Sequence, residues 1–152
     1  MTGPSDDKGL IPLGVDAMGT DAGPAALVEG AARALEGGAK AAITFFGDEA
    51  QLKPLIAQHA ALADAAIQHC AASVAMTDKP MHVLRRGRDT SMWKAIEAQK
   101  EGRVRAVVSG GNTGALMAVS RMQLGMIDGV DRPAITALWP TPRGRVVVLD
   151  VG

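Results

Sequence analysis

Three short apolar runs, each closed by a glycine-bearing turn and each passing into a helical pattern, constrain this chain most. Leu10-Ile11-Pro12-Leu13-Gly14-Val15-Asp16 reads as a buried strand, and the turn from Ala17 to Gly23 follows it. Pro24 suits the first turn of a helix, where its missing N–H costs nothing. Leu27, Ala31, Ala34 and Leu35 then recur at helical spacing on one face, and Gly37-Gly38 stops the helix. Ala41 to Phe46 is a second such run, ended by Gly47-Asp48, and Ala106-Val107-Val108-Ser109 is a third, ended by Gly110 to Gly114. Strands that alternate with helices predict a parallel or mostly parallel sheet covered on both faces.

The remaining segments fill in that frame. A helix is expected over Glu49 to Gln58, with Pro54 as its weak point. The stretch Leu62 to Ala75 is ambiguous, with Ile67 to Cys70 able to form a short strand. Asp78-Lys79-Pro80 reads as a turn leading to the basic cluster Arg85-Arg86-Gly87-Arg88. Asp89 or Thr90 can cap a helix from about Ser91 to Lys100, ended by Gly102, and a further helix is expected over Ala115 to Leu124. Ala134 to Leu138 and Val146 to Val151 are the last strand candidates, separated by Pro140 and Pro142. Residues 1–10 read as a flexible lead-in, and residues 11–152 as one α/β unit. The chain stops at Leu149-Asp150-Val151-Gly152, where a buried strand followed by glycine ordinarily leads into a loop and helix, so the sequence is expected to be the front part of a longer polypeptide.

Composition narrows the function. Lys plus Arg and Asp plus Glu are 16 each, a formal net charge of zero, which argues against a basic nucleic-acid binder. Aromatics are 3% of the chain, with no Tyr, so stacking platforms for single-stranded nucleic acid are not to be expected. A single cysteine, Cys70, excludes an internal disulfide and a Cys-rich zinc site, and suits a reducing compartment. The polar start MTGPSDDKGL lacks the apolar core of a secretory signal, and no apolar run reaches the roughly 18 residues a spanning helix needs. These features predict a soluble, cytoplasmic protein.

Three constellations can carry chemistry. Ser109-Gly110-Gly111-Asn112-Thr113-Gly114 lies between an apolar strand and an apolar helix. Glycines there let backbone N–H groups approach an anion, the helix dipole adds to the attraction, and Asn112 and Thr113 offer side-chain hydrogen bonds. It is neither a Walker A loop nor a G-x-G-x-x-G fingerprint, and it equally fits a tight turn with Thr113 as helix N-cap. Asp16, with Gly19 just beyond, points into the same crevice at a strand's carboxyl end, to orient a substrate group or to cap the next segment. Arg85, Arg86 and Arg88 precede Ser91 at a helix start; guanidinium forks match phosphate oxygens, and the patch also suits an acidic protein partner or plain solvation. His59, His69 and His82 show no metal spacing, Cys70 has no evident base partner, and Met92, Met117, Met122 and Met126 are expected to fill core gaps.

Together these residues resemble the phosphate acyltransferase (PlsX) family of bacterial phospholipid synthesis. Val15-Asp16-Ala17-Met18-Gly19-Thr20-Asp21 resembles its opening VDAMGGD, with Thr20 for the second glycine. Asp78-x-Pro80, Arg85 and Asp89-Thr90-Ser91-Met92 resemble its central segment, and Val108 to Leu116 its VSAGNTGAL signature, with Gly110 for Ala. Asp131-Arg132-Pro133-Ala134 and Leu149 to Gly152 match later landmarks in order. The resemblance spans about residues 11–152 and implies the N-terminal half of a three-layer α/β/α protein, related to phosphotransacetylases and isocitrate dehydrogenases.

The resemblance implies transfer of a fatty acyl group from acyl carrier protein to inorganic phosphate, giving an acyl phosphate. It implies no cofactor or metal, a homodimer, and peripheral contact with the cytoplasmic membrane. Asp16, Gly19, Arg88, Ser91 and Ser109 to Gly114 would line the phosphate or substrate pocket, and Arg85 and Arg86 would meet the acidic carrier protein. Catalytic groups are expected in the other half of such a protein, so this chain alone is expected to be inactive. The alternatives are a phosphotransacetylase-like enzyme acting on acyl-CoA and a non-catalytic phosphate- or nucleotide-binding α/β module.

Overall fold

The computed structural model describes residues 9–150. The lead-in expected over residues 1–10 lies almost wholly outside the described residues, as do Val151 and Gly152 of the last landmark. Strand β1 (Ile11–Asp16) is followed by α1 (Gly23–Glu36), β2 (Ala41–Gly47), α2 (Glu49–Ile56), a 3-10 turn (Ala60–Leu62) and β3 (Ala66–His69). Helices α3 (Pro80–Arg86) and α4 (Ser91–Lys100), strand β4 (Ala106–Ser109) and α5 (Thr113–Leu124) come next, and strands β5 (Thr136–Thr141) and β6 (Gly144–Leu149) end the described chain.

β1 to β4 form one sheet in the order β3-β2-β1-β4, every pair parallel. Successive side chains on a strand point to opposite faces, and adjacent phenylalanines on β2 use both. Phe45 packs with Val28, Ala32 and Leu52 of α1 and α2, whereas Phe46 packs with Ala95, Ala98 and Val104 on the α4 side. Helices on both faces make the α/β/α layering expected of the sequence. A third cluster, with Val83, Met92, Trp93, Ile96, Ala115 and Val119, binds α3 and α5 to α4. The chain builds outward from β1 through β2 to β3, then returns to place β4 on the other side of β1. The strand order therefore reverses between β1 and β4, and in open parallel sheets a crevice opens beyond the carboxyl ends of such a pair.

Several expectations need correction. Residues 80–86, read as turn and basic cluster, form helix α3: Pro80 occupies its first turn, and Arg85 and Arg86 lie in its last turn, where cations suit the helix dipole. Of the four residues expected on one face of α1, Leu27, Ala31 and Leu35 pack against the core beside the buried Val28 and Ala32, whereas Ala34 is exposed. Met117 and Met122 are exposed on α5, so of the methionines expected in the core Met92 alone is fully buried. The last two strands do not join the parallel sheet. They pair with each other as an antiparallel hairpin, turned at Pro142-Arg143, and Pro140 sits inside β5 opposite Arg145. A two-stranded edge tolerates a residue without an N–H donor, which a central strand would not.

Candidate active site

Asp16 is the last residue of β1 and faces the α4 side of the sheet. It is 1% exposed, and both its oxygens are engaged: Oδ1 accepts from the Ser91 hydroxyl at 2.6 Å and Oδ2 from the Ser109 hydroxyl at 2.7 Å. Three segments distant in sequence, the ends of β1 and β4 and the start of α4, are thus tied to one carboxylate. Hydroxyl-to-carboxylate bonds this short are charge-assisted and among the stronger hydrogen bonds proteins make. Ser109 also accepts the Gly111 N–H at 3.2 Å.

Above this knot the two glycine turns touch through their backbones. A Cβ on Gly19 would lie 3.2 Å from Gly111 Cα, and a Cβ on Gly111 would lie 3.1 Å from the Gly19 carbonyl oxygen. The requirement for glycine is one of close approach between the β1 and β4 turns, since neither residue has a positive φ. Gly110 differs, with Thr20 at ordinary contact distance beside it.

Asn112, 8% exposed, is the N-cap of α5. Its Oδ1 accepts the Ala115 N–H at 3.0 Å, while Nδ2 donates to the carbonyls of Ala75, Met76 and Asp78 at 3.2, 3.0 and 2.9 Å. The capping residue is therefore Asn112 and not Thr113, which is the first residue of the helix and is exposed. The carboxamide is committed to holding segment 75–78 against the turn. Gly114 packs against Pro80 at the start of α3, where a Cβ would come within 3.1 Å of the proline ring.

Two helix N-termini reach this region, and they differ. At α4 the Ser91 N–H donates to the Ala72 carbonyl at 3.0 Å, and Thr90 caps the helix by accepting the Trp93 N–H. Of its first three amides, those of Ser91 and Trp93 are paired within the protein and that of Met92 has no partner among the described residues, and the Ser91 hydroxyl is spent on Asp16. At α5 the bonds from Ala115 to the Asn112 side chain and from Leu116 to the Asn112 carbonyl leave the first two amides, of Thr113 and Gly114, without internal partners among the described residues. Unpartnered amides with the positive end of a helix dipole behind them make an anion-binding site.

The arginines stand apart from this knot. Arg85, Arg86 and Arg88 are all exposed, and none joins the four ion pairs found among the described residues. Lys79 and His82 lie with Arg85 and Arg86 around a shallow depression on α3, so that helix presents a cationic face. The basic cluster is plain in the sequence and the helix that carries it is not; Pro80 followed by the apolar Val83-Leu84 pair is the signal for that helix. A cavity of about 910 Å³ lies elsewhere, between α3, α5 and the base of the hairpin, and is lined by Met81, Leu84, Met117, Met122 and Arg121 among others. The Cys70 thiol is buried, and that burial raises its pKa above the ordinary 9.0, which leaves it a poor nucleophile. No cluster of His, Cys, Asp and Glu suited to a metal ion occurs among the described residues, nor any helix long and apolar enough to cross a membrane.

Residues 11–152 match the family described as "Fatty acid synthesis protein". Curated relatives named phosphate acyltransferase cover the same span. The protein of Beijerinckia indica is 51% identical over 93% of this chain and 37% of its own length. That of Maricaulis maris is 52% identical over 92% of this chain and 41% of its own length, and that of Methylocella silvestris 51% identical over 93% and 39%. The chain therefore spans about two fifths of the length of these relatives.

Proposed function

The chain belongs to the fatty acid synthesis protein family, and from that premise we propose that it forms part of a phosphate acyltransferase that moves a fatty acyl group from acyl carrier protein to inorganic phosphate. The observation that carries this reading is the anion-ready turn at the β1/β4 switch point, within a chain about half identical to proteins named for phosphate acylation. Phosphate sits at the α5 N-terminus, on the amides of Thr113 and Gly114, with Gly110 and the Thr113 hydroxyl beside it. Asp16, Gly19, Ser91, Ser109, Gly111 and Asn112 build and hold that turn. Arg88 is exposed just before the start of α4 and is free to meet an anionic group of the substrate.

The reaction asks little covalent chemistry of the protein. A phosphate oxygen attacks the thioester carbonyl carbon, the carbon–sulfur bond breaks, and the carrier's thiolate leaves as the acyl phosphate forms. The protein's contribution is to hold the phosphate in line with the carbonyl, which replaces a bimolecular encounter by a positioned one. Fixed amides also bind the dianion without reorganising during the step. Arg85 and Arg86, with Lys79 just before the helix, give this surface the charge that an acidic carrier protein would seek. The intact protein is proposed to act as a homodimer in the cytoplasm, touching the membrane surface peripherally.

The test uses the full polypeptide that carries this sequence. Labelled inorganic phosphate is supplied with either acyl carrier protein bearing a palmitoyl thioester or palmitoyl-CoA, and the labelled acyl phosphate is extracted into organic solvent and counted. The proposal expects phosphate-dependent product with the carrier thioester. Product from the CoA thioester alone would replace it with a phosphotransacetylase-like activity. Phosphate binding without loss of either thioester would make the unit a binding module.

A further inference from the structure

We propose that Asp16 is a positioning residue that acts on the bound phosphate only through Ser109, and that it never touches the anion itself. The proposal rests on the reading of the α5 N-terminus as the phosphate site. A carboxylate at the carboxyl end of a central strand, beneath a turn suited to anions, looks at first like a substrate contact. It would be a repulsive one, since like charges in a shielded crevice oppose each other.

The hydrogen-bond directions resolve this. A backbone N–H can only donate, so Ser109 accepts from Gly111, and its single hydroxyl proton goes to Asp16. The chain runs one way, from the Gly111 amide to the Ser109 hydroxyl to the Asp16 carboxylate, and each bond in such a series polarises the next. With the Gly111 N–H drawn inward, its peptide plane is fixed. Asn112 fixes the next residue through Ala115 and the carbonyls of segment 75–78. Beyond it, the first two amides of α5, those of Thr113 and Gly114, have no partner among the described residues. Ser91, on the other carboxylate oxygen, locks α4 to the same point. Asp16 is 1% exposed beneath these partners, so its charge sets the turn while two hydroxyls separate it from the ligand.

Three variants of the full polypeptide test this: Asp16→Asn, Ser109→Ala and the two combined. Losing a charge-assisted hydrogen bond is expected to raise the KM for phosphate about tenfold in either single variant, equivalent to about 1.4 kcal/mol. The fall in kcat should be smaller. The double variant should be no worse than Ser109→Ala alone, because Asp16 has no route to phosphate once Ser109 is gone. A further tenfold rise in the double variant would show a direct contact and overturn the proposal.

A measurement on the unaltered protein covers the case in which Asp16→Asn does not fold. Saturating phosphate should move the amide resonances of Thr113 and Gly114 and leave the side-chain carboxyl carbon of Asp16 in place. A carboxyl shift comparable to the amide shifts would overturn the proposal while leaving the phosphate site standing. If no amide at the turn moves, the site assignment itself fails. The role of Asp16 is then judged by amide exchange at Gly111, which must quicken in Ser109→Ala if the relay holds the turn and stay unchanged if it does not.

Discussion

Replacing Asn112 is the most informative perturbation of the turn, because one side chain there does two separable jobs. The acceptor side caps α5 through Ala115, and the donor side ties down segment 75–78. Loss of an N-cap costs about 1 kcal/mol. The Nδ2 group has two hydrogens for three carbonyls, so it supplies two full bonds at most, about 1 kcal/mol each. Ala75 and Met76 are exposed, and water can replace part of what their carbonyls lose. Asn112→Ala should therefore destabilise by about 2–3 kcal/mol. Asn112→Asp keeps the cap but sets a carboxylate against three carbonyl oxygens, so it should lose the donor share and add repulsion. Urea unfolding followed by circular dichroism is the assay. With a slope of about 2 kcal/mol per molar, Asn112→Ala should lower the midpoint by about 1–1.5 M. A drop of less than about 0.3 M, or an Asn112→Asp variant as stable as the original, would refute the assignment of the carboxamide to structure.

Other consequences are equally open to measurement. Gly19→Ala places a methyl group 3.2 Å from the Gly111 backbone and 3.4 Å from Asp16 Oδ2, so it should cost about 1–3 kcal/mol and weaken phosphate binding; an unchanged melting temperature would remove the close-approach account of both glycines. The Cys70 thiol has its pKa raised from 9.0, chiefly by burial. A raised folded pKa favours the folded protein fully below pH 9.0, and that advantage drains away as pH climbs from 9.0 towards the folded value. The unaltered protein should accordingly lose stability faster than Cys70→Ala between pH 9 and 10.5, and parallel stability curves would contradict the burial of the thiol.

The sequence is most legible where local signals and tertiary packing agree. β1, β2, α1 and α4 follow their apolar runs, caps and glycine stops closely, and the parallel sheet follows from their alternation. Expectation fails where one residue type has two readings. Pro80 reads equally as turn or first helical turn, and tertiary contact of Val83 with the α4–α5 cluster decides for helix. Asn112 and Thr113 are both competent caps, and the three carbonyls within reach of Asn112 settle the choice. Spacing alone brings Asp16, Ser91 and Ser109 no nearer than their separations of 75 and 93 residues allow. Only the reversal of strand order between β1 and β4 joins them, and it places both Asp16 oxygens on serine hydroxyls.

The central claim is that phosphate binds at the N-terminus of α5 and not at that of α4. Titrating inorganic phosphate into the isotope-labelled protein, with amide resonances followed residue by residue, tests it directly. The account predicts saturable shifts centred on Thr113 and Gly114, with Ser91 and Met92 at the start of α4 unmoved. Shifts centred on α4 and the Arg85 to Arg88 cluster, with the α5 turn silent, would contradict it.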